Sequence, residues 1–125
     1  APEGFSIGVG TIFEPHQVQL CQELGVDFLV SPGSTPSLIQ AMQASGIPYL
    51  PGVMTPSEIL SALAANCHYL KLFPFNLSGG IKALKTYGNV FPAVHFCPTG
   101  GVNIDNFQAL LELPNAVSVG GSWLV

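Results

Sequence analysis

The chain has 125 residues, 48% of them hydrophobic and only 8% charged, with a net charge of −4. That length allows one small domain, and the composition calls for a large buried core rather than disorder. Three lysines and no arginine exclude a phosphate-backbone surface, so no nucleic-acid partner is expected. Gly and Pro interrupt every apolar run before it reaches membrane-spanning length, which excludes a membrane role.

Short apolar runs alternate with helical patterns along the chain, the mark of repeated βα units. Strands are predicted near Phe5–Thr11, Asp27–Gly33, Pro48–Met54, Tyr69–Phe73, Val94–Gly100 and Ala116–Gly120. The first helix begins at Pro15, turns Val18, Cys21 and Leu24 inward and His16, Gln17, Gln19, Gln22 and Glu23 outward, and stops at Gly25, as Pro at the first turn and Gly after the last turn dictate. The next three follow the same grammar: Pro36 to Ser45 before Gly46, Pro56 to Ala65, and Gly80 to Tyr87 before Gly88. Asn103 and Asp105 can cap a fifth helix that runs to about Leu113. Strict alternation makes the strands parallel, because each crossover helix returns the chain in the same direction. Open sheet and barrel both satisfy the pattern.

Cys21, Cys67 and Cys97 are an odd number at wide spacing, which fits neither a disulfide framework nor a CxxC site and predicts a reducing, cytoplasmic setting. His95 and Cys97 share a strand face but lack a third clustered ligand, so they read as core and no metal is expected.

Lys71 stands out, within Tyr69-Leu70-Lys71-Leu72-Phe73-Pro74. Strand periodicity sets Tyr69, Lys71 and Phe73 on one face and His68, Leu70 and Leu72 on the other. An amine in apolar surroundings has a lowered pKa and, as the free base, attacks carbonyl carbon. A lysine at a strand end also snorkels to water, and residue type alone does not separate the two. Two glycine pairs follow the last two predicted strands: Gly100-Gly101, and Gly120-Gly121 with Ser122. Either pair marks a tight turn or lets backbone N–H groups approach an anion, and in a (β/α)8 barrel the phosphate site lies after the last two strands.

The segments GVGTIFEP, FLVSPG, IPYLPGVMTPSE, LKLFP, FCPTGGVN and VGGSWLV, in that order, resemble the 2-keto-3-deoxy-6-phosphogluconate (KDPG)/4-hydroxy-2-oxoglutarate (KHG) aldolases over essentially all of residues 1–125. The resemblance implies a single-domain (β/α)8 barrel, with this chain matching its third to eighth strands and lacking the first two strands and the last helix. It implies a class I aldolase that needs no cofactor, releases pyruvate and glyceraldehyde 3-phosphate from KDPG, accepts 4-hydroxy-2-oxoglutarate as a further candidate substrate, and assembles as a cytoplasmic trimer. It assigns Lys71 to the Schiff base. Thr11, Pro32 and Phe73 become pyruvate-pocket contacts and Thr99 a second hydroxyl near the substrate. Gly100, Gly101, Gly120, Gly121 and Ser122 are left for the phosphate.

The family's second strand carries a glutamate acid/base and an arginine for the substrate carboxylate, and this chain matches neither. Glu14, Glu58 and Asp105 read as helix-start residues; Glu23, Asp27 and Glu112 fall at the far ends of their elements, and Glu3 in the lead-in. A partial barrel that binds a phosphorylated keto acid without turning it over is therefore a second reading. A phosphate-binding barrel of the thiamine-phosphate-synthase type is a third, which leaves the apolar strand lysine unexplained. The exposed edges of such a sheet predict further residues or a covering partner.

Overall fold

The computed structural model describes residues 8–102 and 105–116. The chain alternates as expected: β1 (Gly8–Val9), α1 (Pro15–Leu24), β2 (Phe28–Val30), α2 (Pro36–Ala44), β3 (Tyr49–Leu50), β4 (Gly52–Val53), α3 (Pro56–Ala64), β5 (Tyr69–Leu72), α4 (Gly80–Val90), β6 (His95–Pro98) and α5 (Phe107–Leu111). Every strand pair is parallel, so the carboxyl ends of the strands gather on one side. Among the described residues no helix is long and apolar enough to cross a membrane.

Three helices start alike. Pro15, Pro36 and Pro56 occupy the first turn, where a missing N–H costs nothing. Thr35 Oγ1 accepts from Leu38 N at 3.2 Å. Thr55 and Glu58 form a reciprocal capping box, the Glu58 carboxylate accepting from the N–H of Thr55 at 3.1 Å. Gly25, at φ 69°, closes α1 in a left-handed conformation that a Cβ would penalise.

The third predicted strand, Pro48–Met54, is two short strands separated by Pro51, and the sheet divides there into β1-β2-β3 and β4-β5-β6. Pro51 has no N–H to give a ladder, so pairing cannot run through it. Other expectations need correcting. Leu24 is exposed, since it ends α1 beyond the packed turns. Gly88 lies inside α4, which continues to Val90; helical hydrogen bonding outlasts the loss of one side chain. The fifth helix is only Phe107–Leu111, preceded by Asn106; Asp105 stands before it and Asn103 lies outside the described residues. Of the last predicted strand, Ala116 bridges Phe96 and the remainder lies outside the described residues.

Strand alternation divides β5 and β6 cleanly. Leu70, Leu72 and Phe96 are fully buried in a core with Ile59 and Ala62 of α3, Leu84 of α4 and Leu110 of α5. A second core joins Ile12, Val18, Cys21, Leu29, Leu38 and Met42. Tyr49 packs against both. With its helix-facing side committed to apolar contact, β5 must present Tyr69 and Lys71 on the other face, which Phe73 continues just beyond the strand.

Candidate active site around Lys71

Lys71 is half-buried in the middle of β5. Its backbone N–H donates to the Pro51 carbonyl at 2.9 Å, and it stands in register between Gly52 of β4 and Cys97 of β6. Burial holds its amine below the usual lysine value of 10.5, and the Cys97 side chain opposes that shift more weakly. Nζ lies 4.4 Å from the centroid of the Phe73 ring, a contact that favours the charged form but does not reverse the net direction. A half-desolvated amine held over an aromatic wall retains more free base at neutral pH than an exposed lysine does.

Three layers are stacked on this face. Tyr69 and His95 pair in register with ring centroids 4.9 Å apart. Lys71 and Cys97 form the next layer. Phe73 and Thr99 continue it, and Cys97 Sγ lies 3.9 Å from Thr99 Oγ1. Beyond the ladder, Phe75 N donates to Thr99 O at 2.7 Å and Asn76 N to Gly100 O at 3.0 Å. The segment after β5 is thereby laced to the one after β6. A Cβ on Gly100 would meet the Phe73 ring at 3.4 Å.

Pro32 reaches the same neighbourhood through Gly52. A Cβ on Gly52 would collide with the Pro32 carbonyl and stand 2.5 Å from the Ser31 carbonyl oxygen. Ser31 is fully buried, and its Oγ accepts the Gly52 N–H at 3.3 Å. Pro32 also lines a cavity of about 200 Å³ with Ile12, Phe13, Gly33, Ser34 and Leu38. Thr11 is exposed and joins this end of the sheet through its neighbour, Ile12 N donating to Val30 O at 3.3 Å. Its φ of 59° is unusual for a β-branched residue.

Lys71, Phe73, Thr99, Gly100 and Pro32 are thus linked by contact or register, and Thr11 sits at the same end of the strands. Gly120, Gly121 and Ser122 lie outside the described residues. Larger cavities lie elsewhere. One of about 410 Å³ opens between α4 and the Leu113–Asn115 turn, beside His95. That is the amino-terminal end of β6, away from the amine.

Sequence reasoning passed over Gly52 and Ser31. A glycine inside an apolar strand was the available signal for a close backbone approach. Nothing in the sequence marks Ser31 as the hydroxyl that spans two sheets. No described carboxylate is placed as a base beside Lys71. Glu58 is committed to its cap, and Glu14 lies 3.0 Å from His16 at the start of α1.

A family model for KDPG and KHG aldolases matches residues 1–125. The 2-dehydro-3-deoxy-phosphogluconate aldolase of Pseudomonas aeruginosa is 41% identical over 119 residues, covering 95% of this chain and 54% of the relative. The KHG/KDPG aldolase of Escherichia coli K12 is 39% identical, covering 95% of this chain and 56% of its own. The chain therefore spans about half the length of the curated relatives it matches. Among solved structures, the KDPG aldolase of Legionella pneumophila, with pyruvate captured as a covalent carbinolamine, superposes with a TM-score of 0.95 at 44% identity, over 98% of this chain and 59% of that one. The 2-keto-3-deoxy-6-phosphogluconate aldolase of Zymomonas mobilis, with 3-phosphoglycerate, gives 0.95 at 37% identity, over 98% and 59%.

Proposed function

Since this chain belongs to the KDPG and KHG aldolase family, we propose that the protein cleaves 2-keto-3-deoxy-6-phosphogluconate to pyruvate and glyceraldehyde 3-phosphate through a Schiff base on Lys71. The observation that carries this reading is the half-buried amine itself, lowered in pKa by burial and set against the Phe73 ring. The reading that the chain only binds its ligand gains no support from the aldolases it resembles.

Neutral Lys71 adds to the C2 ketone to give a carbinolamine, the state in which the Legionella enzyme holds pyruvate. Loss of water leaves a protonated imine, which serves as the electron sink. A base removes the C4 hydroxyl proton, the C3–C4 bond breaks toward the imine, and the aldehyde departs. The enamine is then protonated at C3, and water hydrolyses the imine to pyruvate and free Lys71. The base is a group outside the described carboxylates, which are placed elsewhere. Thr11, Pro32 and Phe73 line the pyruvate end of this site, with Thr99 beside them. The Gly100-Gly101 amides receive the phosphate, as do Gly120, Gly121 and Ser122 in the resemblance. The two sheets are then consecutive sectors of a (β/α)8 barrel, its third to seventh strands, with β3 and β4 as one interrupted strand; the eighth is the strand expected from Ala116, which bridges Phe96. A cytoplasmic trimer that accepts 4-hydroxy-2-oxoglutarate as well completes the reading; the KHG/KDPG name of the Escherichia coli relative supports the second substrate.

Incubation of the intact protein with pyruvate and borohydride, followed by peptide mapping, tests it. A reduced adduct on Lys71, absent from Lys71→Ala together with cleavage activity, is the expected result. Cleavage that survives Lys71→Ala refutes the assignment.

A further inference from the structure

The far side of the Gly100-Gly101 turn contains a group to which no role has been given. Gly100 and Gly101 have φ values of 92° and 79°, in the region that favours glycine. The carbonyls of Thr99 and Gly100 are taken by the N–H groups of Phe75 and Asn76, whereas the N–H groups of Gly100 and Gly101 have no acceptor among the described residues. Asn76 lies against the bare Cα of Gly101: a Cβ there would stand 2.5 Å from Asn76 Cβ, 2.6 Å from Cγ and 3.0 Å from Nδ2. The Asn76 side chain is exposed, and its carboxamide has no hydrogen-bond partner among the described residues. An unengaged donor is therefore packed beside Gly101, next in the chain to a second glycine whose N–H is also unengaged.

We infer that Asn76 is a specificity-determining residue for the phosphorylated end of the substrate, its carboxamide N–H donating to the anion that the Gly100 and Gly101 amides also receive. This rests on the aldolase reading and adds to it a residue that discriminates by charge. The donors on this turn are neutral, and their value depends on no acceptor charge intruding. Asparagine supplies two N–H bonds and no net charge. An aspartate of the same shape would face the anion with its own negative charge.

The experiment compares wild type and Asn76→Asp in the intact protein. Two substrates are cleaved, 2-keto-3-deoxy-6-phosphogluconate and the same keto acid without its phosphoryl group, and pyruvate–borohydride trapping at Lys71 is measured alongside. In Asn76→Asp, KM for the phosphorylated substrate should rise at least roughly tenfold, because one like charge at about 4 Å is worth a few-fold in bulk water and on the order of a thousandfold near a protein surface. Turnover of the unphosphorylated substrate and trapping should stay within about twofold of wild type, as a change outside the imine centre requires. A phosphate preference unaltered by Asn76→Asp overturns the Asn76 assignment alone. Equal losses on both substrates, or loss of trapping, also overturn it, because the change is then not confined to the phosphate. Wild type that forms the imine but does not favour the phosphorylated substrate overturns the phosphate reading of the glycine pair and Asn76 with it.

Discussion

Gly52 and Lys71 face each other across β4 and β5, and the glycine leaves room that the end of β2 fills. A methyl group at Gly52 would run into the carbonyls of Pro32 and Ser31, which are backbone and cannot swing aside. Gly52→Ala should therefore destabilise the fold by about 1–3 kcal/mol, the usual range for overpacking. It should also slow imine trapping, because relief of the clash shifts β2 or the strand beside Lys71. Urea unfolding and trapping of the same variant measure both; wild-type values in both would show that the close approach is dispensable.

Ser31→Ala removes the hydroxyl that accepts the Gly52 N–H and leaves that donor unsatisfied in a buried seam. The expected loss is about 1–3 kcal/mol. Ser31→Thr keeps the acceptor and should recover part of it if the added methyl is accommodated. Equal urea midpoints for Ser31→Ala and wild type would mean that the hydrogen bond contributes nothing.

The lowered pKa of Lys71 predicts that wild-type stability, measured against Lys71→Met, and wild-type reactivity both rise with pH. Below both pKa values the amine is charged in the folded and unfolded chain, and burial penalises the folded form alone. As pH rises from the folded pKa towards 10.5, that penalty disappears. Lys71→Met should therefore gain stability over wild type most at the acid end, with the margin shrinking as pH approaches 10.5. Imine trapping in wild type should show an acid limb below the ordinary lysine value. A margin independent of pH, or a limb at 10.5, would contradict a desolvated amine.

Phe73→Leu keeps an apolar wall but removes the ring face beneath Nζ. A cation–π contact favours the ammonium by about 0.5–1 kcal/mol at a partly exposed site. Its loss should move the acid limb of trapping down by roughly half a pH unit. An upward shift would mean that the ring mainly excludes water rather than supporting the charge.

Thr11 has a left-handed φ of 59°, a conformation that costs a non-glycine residue about 1–3 kcal/mol. Thr11→Gly should relieve that strain, and the looser unfolded chain offsets part of it, leaving a net gain of about 1 kcal/mol. Thr11→Val keeps the strain and loses only the hydroxyl. If that hydroxyl binds pyruvate, both variants slow trapping and only the glycine variant is stabilised. Unchanged trapping in both would remove Thr11 from the pocket.

The alternation of elements was legible because proline at the first turn and β-branched runs are local signals: Pro15, Pro36 and Pro56 each stand where a helix begins. Lys71 was legible for a related reason, since strand periodicity fixes its face once Leu70 and Leu72 are buried. The break at Pro51 was missed because one apolar run contains both strands, and the partners that expose the missing donor lie far away in sequence. The inward placement of Leu24 failed because helical periodicity does not report where the neighbouring layer ends. Asn76 had no sequence signal, for its position depends on backbone pairing between segments that come together only in the fold.

The hydrogen bond from Lys71 N to Pro51 O fastens the nucleophile's own peptide to the hinge point between the two sheets. Chemistry and architecture meet there at a single amide. A disturbance that prised the sheets apart would reach the reactive residue through its main chain, without touching the amine, the ring beneath it or any group that binds substrate. The inactivity of a loosened variant would then be a misaimed nucleophile, one that keeps its basicity but no longer points at its target.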